Sequence, residues 1–125
     1  RDAIIADGNI PAERVRSFAI AMTAADGTLL KIIEKPSQEA LAAAGPRILL
    51  SMNLWLFDAT IFDSCRRISP SPRGEFEITD AVQHNITALG KRYRVVLSRE
   101  GVLDLSSRSD IGPVTRQLAD VEVRL

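Results

Sequence analysis

Ile48-Leu49-Leu50-Ser51-Met52-Asn53-Leu54-Trp55-Leu56-Phe57 is nearly unbroken apolar sequence, and its reading decides the fold. Such a run is expected of a central strand covered on both faces. Ser51 and Asn53 interrupt it two positions apart, which puts both on one face of the strand. A buried amide without a partner costs about 1–3 kcal/mol, so something polar must meet that face. A neighbouring loop backbone could supply it. So could a ligand hydroxyl, because polar groups converging from strand ends build the crevice of open α/β sheets. The pattern alone leaves both open.

Upstream, Phe18, Ile20 and Met22 alternate, Asp26-Gly27 supplies a turn, and Leu29 resumes an apolar strand. Residues 18–35 therefore read as a β-hairpin, with Phe18, Ile20 and Met22 on one face and Leu30 and Ile32 together on the second strand. Pro36 ends it for want of an amide donor. Ser37 caps a short helix over 38–44, closed by Gly45. Downstream, Asp58 caps a helix whose buried stripe would be Ile61, Phe62, Cys65 and Ile68. Residues 69–74 are a loop by turn chemistry. A second helix follows over 79–89, with Ile78, Val82, Ile86 and Leu89 at helical spacing and Gly90 as its stop. Residues 93–98 and 101–105 read as short strands. A last helix spans 110–119, with Pro113 tolerated in its first turn. Strands and helices alternate, so the class is α/β with a mixed sheet.

The chain has 125 residues and an apolar fraction of 46%, enough for one core. Sixteen basic residues balance sixteen acidic ones, which removes the electrostatic argument for nucleic acid or an anionic membrane. No apolar run approaches the roughly 20 residues that span a bilayer. Cys65 is the single cysteine, so an intrachain disulfide and a cysteine-based zinc site are both excluded. A reduced, cytoplasmic setting is expected. Arg1 to Ile5 opens without a cap or a leader, as if the chain belonged to something longer.

Three further features carry chemistry or mimic it. Glu34-Lys35-Pro36 closes an apolar strand with a charged pair, and only one of the pair shares the face of Ile32. It is either an exposed ion pair, worth under about 1 kcal/mol, or a lysine for a phosphate beside a glutamate for sugar hydroxyls. Arg73-Gly74-Glu75-Phe76-Glu77-Ile78-Thr79-Asp80 places acidic residues where a helix macrodipole favours them, yet is unusually rich for a mere cap. Asp104 ends Gly101-Val102-Leu103-Asp104-Leu105, where it either caps the next turn or offers an oxygen to Mg²⁺.

In this order, the features resemble the second half of the nucleotide-diphospho-sugar transferases, among them the glucose-1-phosphate thymidylyltransferases. The resemblance covers about residues 15–119, and its most specific part is the Pro72-Arg73-Gly74-Glu75-Phe76-Glu77-Ile78-Thr79-Asp80 run. It implies a Rossmann-like α/β fold with a mixed sheet, of which 1–125 would be the sugar-phosphate-binding part. The nucleotide-binding part, with its glycine-rich loop and first metal aspartate, would be absent. It also implies attack of a sugar 1-phosphate on the α-phosphorus of a nucleoside triphosphate, which forms an NDP-sugar and pyrophosphate. By motif, Glu34 would touch sugar hydroxyls, and Lys35 would bind the sugar phosphate and serve catalysis. Ser51 and Asn53 would line the substrate, Glu75 would shape the sugar end of the pocket, and Asp104 would hold Mg²⁺. Thr79 would be a helix cap, Cys65 core, and His84 solvent-facing or locally packed. Asn53 falls where many members have glycine, and Leu105-Ser106-Ser107 replaces a Gly-Thr pattern. The alternatives are a non-catalytic relative that binds sugar phosphates or nucleotide sugars, and an unrelated small α/β interaction domain. No nucleic acid or membrane partner is expected, and a homo-oligomer stays open.

Overall fold

The computed structural model describes residues 12–45, 49–99 and 101–121. The expectations about Arg1 to Ile5 and about Ile48 lie outside these residues. A short 3-10 helix (Ala12–Ser17) leads into β1 (Ile20–Thr23), which forms the expected antiparallel hairpin with β2 (Leu29–Ile33). The turn is built from Asp26 and Gly27. Gly27 sits at φ 83°, a conformation that glycine adopts without strain. The Thr28 amide donates to Asp26 Oδ1 at 2.9 Å. Met22 faces Lys31 and Thr23 faces Leu29, so Leu30 is the extra residue of a bulge. The bulge turns Leu30 out and leaves Leu29 and Ile32 in the core, which corrects the expected pairing of Leu30 with Ile32.

β3 (Leu49–Leu50) pairs with the other edge of β1, giving the order β2-β1-β3. The central strand is therefore β1, and the 48–57 run is not. Asn53 takes φ 52° and breaks the extended run, while Ser51 Oγ accepts from the Asn53 amide at 3.4 Å. Beyond that break the side chains alternate. Trp55 and Phe57 pack on the core, whereas Leu54 and Leu56 are 92% and 95% exposed. The segment is covered on one face only. Both strand pairs are antiparallel, so β2 and β3 run the same way on either side of β1; no parallel neighbours occur among the described residues.

Helices cover both faces of β1, as the α/β class requires. On one face Ala19, Ala21, Leu29 and Ile32 pack with Ile61, Ala81 and Val82 of α2 (Thr60–Cys65) and α3 (Ile78–Leu89). On the other, Ile20 packs with Val15, Leu41 of α1 (Gln38–Ala43), Phe18, Ile33 and Leu50. Ser37 caps α1 as expected, its Oγ accepting from the Ala40 amide at 3.1 Å. In α2 the buried residues are Ile61 and Ser64; Phe62 and Cys65, expected on that stripe, are exposed, and Ile68, expected there too, lies beyond the helix end and is half-buried. The difference has a packing cause: Ser64 is small enough for α2 to approach α3 closely, and its hydroxyl lies 2.9 Å from His84 Nδ1. In α3 the buried face is Thr79, Ala81, Val82 and Asn85, and Ile78 and Leu89 turn outward. Asn85 is satisfied by donating to Tyr93 Oη at 2.9 Å. Gly90, at φ 64°, stops α3 as expected.

Only part of 93–98 pairs: the Leu29 amide donates to the Tyr93 carbonyl at 2.8 Å and the Val95 amide to the Gly27 carbonyl at 2.9 Å. Residues 101–105 form no strand. A 3-10 turn (Arg108–Asp110) enters α4 (Ile111–Leu118), with Pro113 in its first turn. No helix among the described residues is long and apolar enough to cross a membrane.

Candidate functional site

Strand direction assembles the candidate site. Ile20 is opposite Ile33 of β2 and also opposite Leu50 of β3. The carboxyl ends of β2 and β3 therefore open at the same end of the sheet, one on each side of β1. The next residues are Glu34-Lys35 after β2 and Ser51 after β3. The Ser51 amide still donates to the Ala19 carbonyl at 2.8 Å, which keeps it at the strand end. Two strand spacings separate the two ends, about 10 Å. Two motifs sixteen residues apart thus meet at one sheet edge, across a span that accommodates a hexose.

At this edge the two members of the charged pair part company. Lys35 has φ 41°, a left-handed conformation that costs a non-glycine residue roughly 1–2 kcal/mol, and its side chain is exposed. Glu34 is half-buried. Burial pushes its carboxyl above the ordinary value, the Glu77 carboxylate adds to the rise, and Lys35, Arg73 and the Thr79 hydroxyl oppose it. Glu34 therefore lies beside the 73–80 segment, and the strand-end charged pair and that run share one electrostatic neighbourhood. The Arg73 guanidinium pairs with Glu77 and, at 3.4 Å, with Glu75. Ser71 Oγ donates to Glu77 at 3.2 Å.

Glu77, Arg73 and Thr79 adjoin Glu34 in this candidate site; the sequence reading did not single them out as site residues, although all lie within the quoted run. Glu75, the chosen residue, is exposed. Glu77 could have been found from its position, since it immediately precedes α3 and stands four residues after Arg73. Thr79 is not the cap of α3: that position is held by Glu77, and no side chain bonds there. Thr79 Oγ1 is buried with no hydrogen bond of normal length among the described residues. Asn53 is exposed, and the Ser51 hydroxyl serves its backbone, so the polar interruption of the apolar run is met locally.

Asp104 has other company. Arg14 Nη2 donates to its Oδ2 at 2.5 Å, and Ser106 Oγ donates to its Oδ1 at 2.5 Å. The turn-capping role belongs to Asp110, which forms a reciprocal capping box with Ser107. Among the described residues no hydrogen bond or ion pair joins Asp104 to Glu34, Lys35, Asn53 or Glu75, and no group of three or more His, Cys, Asp or Glu residues could hold a metal. A carboxylate is the right donor type for Mg²⁺. With both oxygens engaged, one by a permanent cation, Asp104 as arranged does not fit that ion.

A family model described as nucleotidyl transferase matches residues 2–120. Among curated proteins, the chain is 40% identical over 74 residues to a glucose-1-phosphate thymidylyltransferase of Streptomyces griseus, covering 58% of this chain and 19% of that protein. It is 35% identical over 71 residues to a low-salt glycan biosynthesis nucleotidyltransferase of Haloferax volcanii, covering 57% and 18%. A glucose-1-phosphate thymidylyltransferase of Streptomyces antibioticus is 34% identical over 90 residues, covering 64% and 23%. The chain thus spans about a fifth of the length of these relatives. No solved structure matches significantly.

Proposed function

Since this chain belongs to the nucleotidyl transferase family, we propose that it is the sugar-phosphate-binding part of a sugar-1-phosphate nucleotidyltransferase. The reaction would join a nucleoside triphosphate and a sugar 1-phosphate into an NDP-sugar, with release of pyrophosphate. The names of its relatives support this substrate class. The observation that carries the proposal is the meeting of Glu34-Lys35 and Ser51 at one end of the sheet, with the 73–80 segment against Glu34.

The chemistry divides along the same lines. Attack of one phosphate on another brings like charges together, so a fixed cation that binds and aligns the nucleophile lowers the barrier. Lys35, exposed at the sheet edge, is that cation in this reading. Glu34, half-buried beside the 73–80 segment, accepts hydrogen bonds from sugar hydroxyls. Ser51, Asn53 and Glu75 border the same substrate. Mg²⁺ belongs to the proposal as counter-charge for the phosphates, but Asp104 would first have to leave Arg14, so no step is assigned to it.

The nucleotide-binding part would be supplied by further polypeptide. Leu54 and Leu56 support this reading, because an apolar, unpaired extended segment is what a neighbouring layer would cover. A second reading, a binding relative without catalysis, is favoured by the Arg14 hold on Asp104.

Titration calorimetry with glucose 1-phosphate tests the proposal. Lys35→Ala should weaken binding about tenfold or more, as expected for a charge-assisted phosphate contact worth about 1.5–3 kcal/mol. Equal affinity in the variant would remove Lys35 from the site. Turnover in a polypeptide that also carries the nucleotide-binding part separates the enzyme from the binding relative.

A further inference from the structure

Residues 103–121 make an arm that is ordered within itself and tied to the rest of the molecule by one side chain. Asp110 Oδ2 accepts from the Ser106 amide at 3.2 Å and from the Ser107 amide and hydroxyl at 2.8 Å each. Ser106 Oγ donates to Asp104 Oδ1 at 2.5 Å. These bonds shape the turn that enters α4, and all of them lie inside the arm. No residue of the arm is buried, and Leu105, Ile111, Leu118 and Val121 are exposed. Among the described residues, the hydrogen bonds and ion pairs between the arm and the rest of the molecule all end on Arg14. Its Nη2 meets Asp104 Oδ2 at 2.5 Å and its Nη1 meets Asp110 Oδ1 at 3.2 Å. Arg14 is itself anchored, since the next residue, Val15, is buried with Ile20 and Leu41.

We propose that 103–121 is a strap, closed by the fork of Arg14 on Asp104 and Asp110, which opens as a unit while the α/β core stays folded. Segments with few buried apolar contacts open at the low end of local stability. The residues around β1 have hydrophobic burial to hold them, and the strap has none to match it, so the ion pairs decide its position. With 34%, 26% and 14% of their side-chain surfaces exposed, Arg14, Asp104 and Asp110 are partly sheltered, yet salt still reaches them. The carboxylates follow Arg14 by 90 and 96 residues. Closing so long a loop is entropically costly in an open chain. The folded sheet has already met that cost up to Val95, whose amide bonds to the Gly27 carbonyl. The strap therefore closes on a finished core and not before. A helix of eight residues is too short to persist alone in water, so α4 melts when the strap opens. All of this stands on the geometry of the arm, whatever the sheet edge binds.

Native-state hydrogen exchange, read by mass spectrometry of peptides that cover α4, β1 and α3, tests this on the chain as it stands. In Arg14→Gln the α4 amides should exchange about fivefold faster, the size expected for losing ion pairs of this exposure, with β1 and α3 unchanged. Asp104→Asn should do part of the same. Combined with Arg14→Gln it should add nothing further, because the two residues share one interaction. Raising salt to about 1 M, where the screening length falls to about 3 Å, should speed α4 exchange in the unaltered chain but not in Arg14→Gln. Unchanged α4 exchange in Arg14→Gln overturns the proposal. So does an equal acceleration in β1 and α3, which would make Arg14 a support of the core. Should Arg14→Gln not fold, the unaltered chain decides: α4 exchange that ignores salt overturns the strap.

Discussion

In the proposed reading, Glu34 would serve binding at the expense of the fold. Its carboxyl is raised above the ordinary value of 4.5, first by burial and then by Glu77. A raised acid binds its proton more tightly in the folded chain than in the unfolded one. The contribution of Glu34 to stability is therefore greatest below about 4.5 and falls as pH rises through the folded value, where the buried group must ionise. Glu34→Gln removes that titration. Thermal melts between pH 4 and pH 8 should show the variant more stable than the parent at pH 7, by at most about 1 kcal/mol given the water that still screens the site. The gain should vanish towards pH 4. Calorimetry should show the same variant binding glucose 1-phosphate more weakly. A variant that is less stable at pH 7 would mean that the Glu34 charge is not the cost described.

At the scale of elements, what was legible in the sequence was whatever backbone chemistry decides. The Asp26-Gly27 turn, the Ser37 cap, the Gly90 stop and the position of Pro113 depend on local dihedrals and donors, and each is where those rules put it. What failed depended on neighbours. The 48–57 run reads as a central strand because apolar content alone does not say how many faces are covered, and the left-handed turn at Asn53 leaves no strong mark in the sequence. The stripe of α2 was misplaced because Ser64, a polar residue, occupies the buried position where close packing on α3 needs a small side chain. The candidate site divides in the same way. Glu34 and Lys35 could be read from a charged pair ending an apolar strand. The weight of Glu77 over Glu75, and the attachment of Arg14 to Asp104, depend on contacts across many residues and have no periodic signal. Gly90 offers a clean test of the local part. A Cβ there would meet nothing within 4 Å, so Gly90→Ala costs only the left-handed conformation at φ 64°. The loss should be about 1 kcal/mol. Urea unfolding should show a lower midpoint with an unchanged slope; no change would mean that α3 ends without needing that conformation.

For the whole molecule, the decisive asymmetry is between the faces of the 54–57 segment. Trp55 and Phe57 pack inward, their rings stacked at 5.7 Å and both edge-on to Tyr93. Leu54 and Leu56 point away from that packing, and Val96 is similarly exposed. Burying a leucine is worth about 1.5–3 kcal/mol, so two leucines this exposed add nothing to the fold of this chain while inviting association. Leu54→Lys with Leu56→Lys should therefore leave the unfolding free energy within about 0.5 kcal/mol, the usual range for surface changes. The pair should reduce any self-association seen by sedimentation. In a polypeptide that carries the proposed nucleotide-binding part, the same pair should be destabilising by several kcal/mol, because two lysines would then be buried in a formed interface. Equal tolerance in both settings would mean that the outward face of this segment stays in water, and the placing of a further layer against it would be wrong.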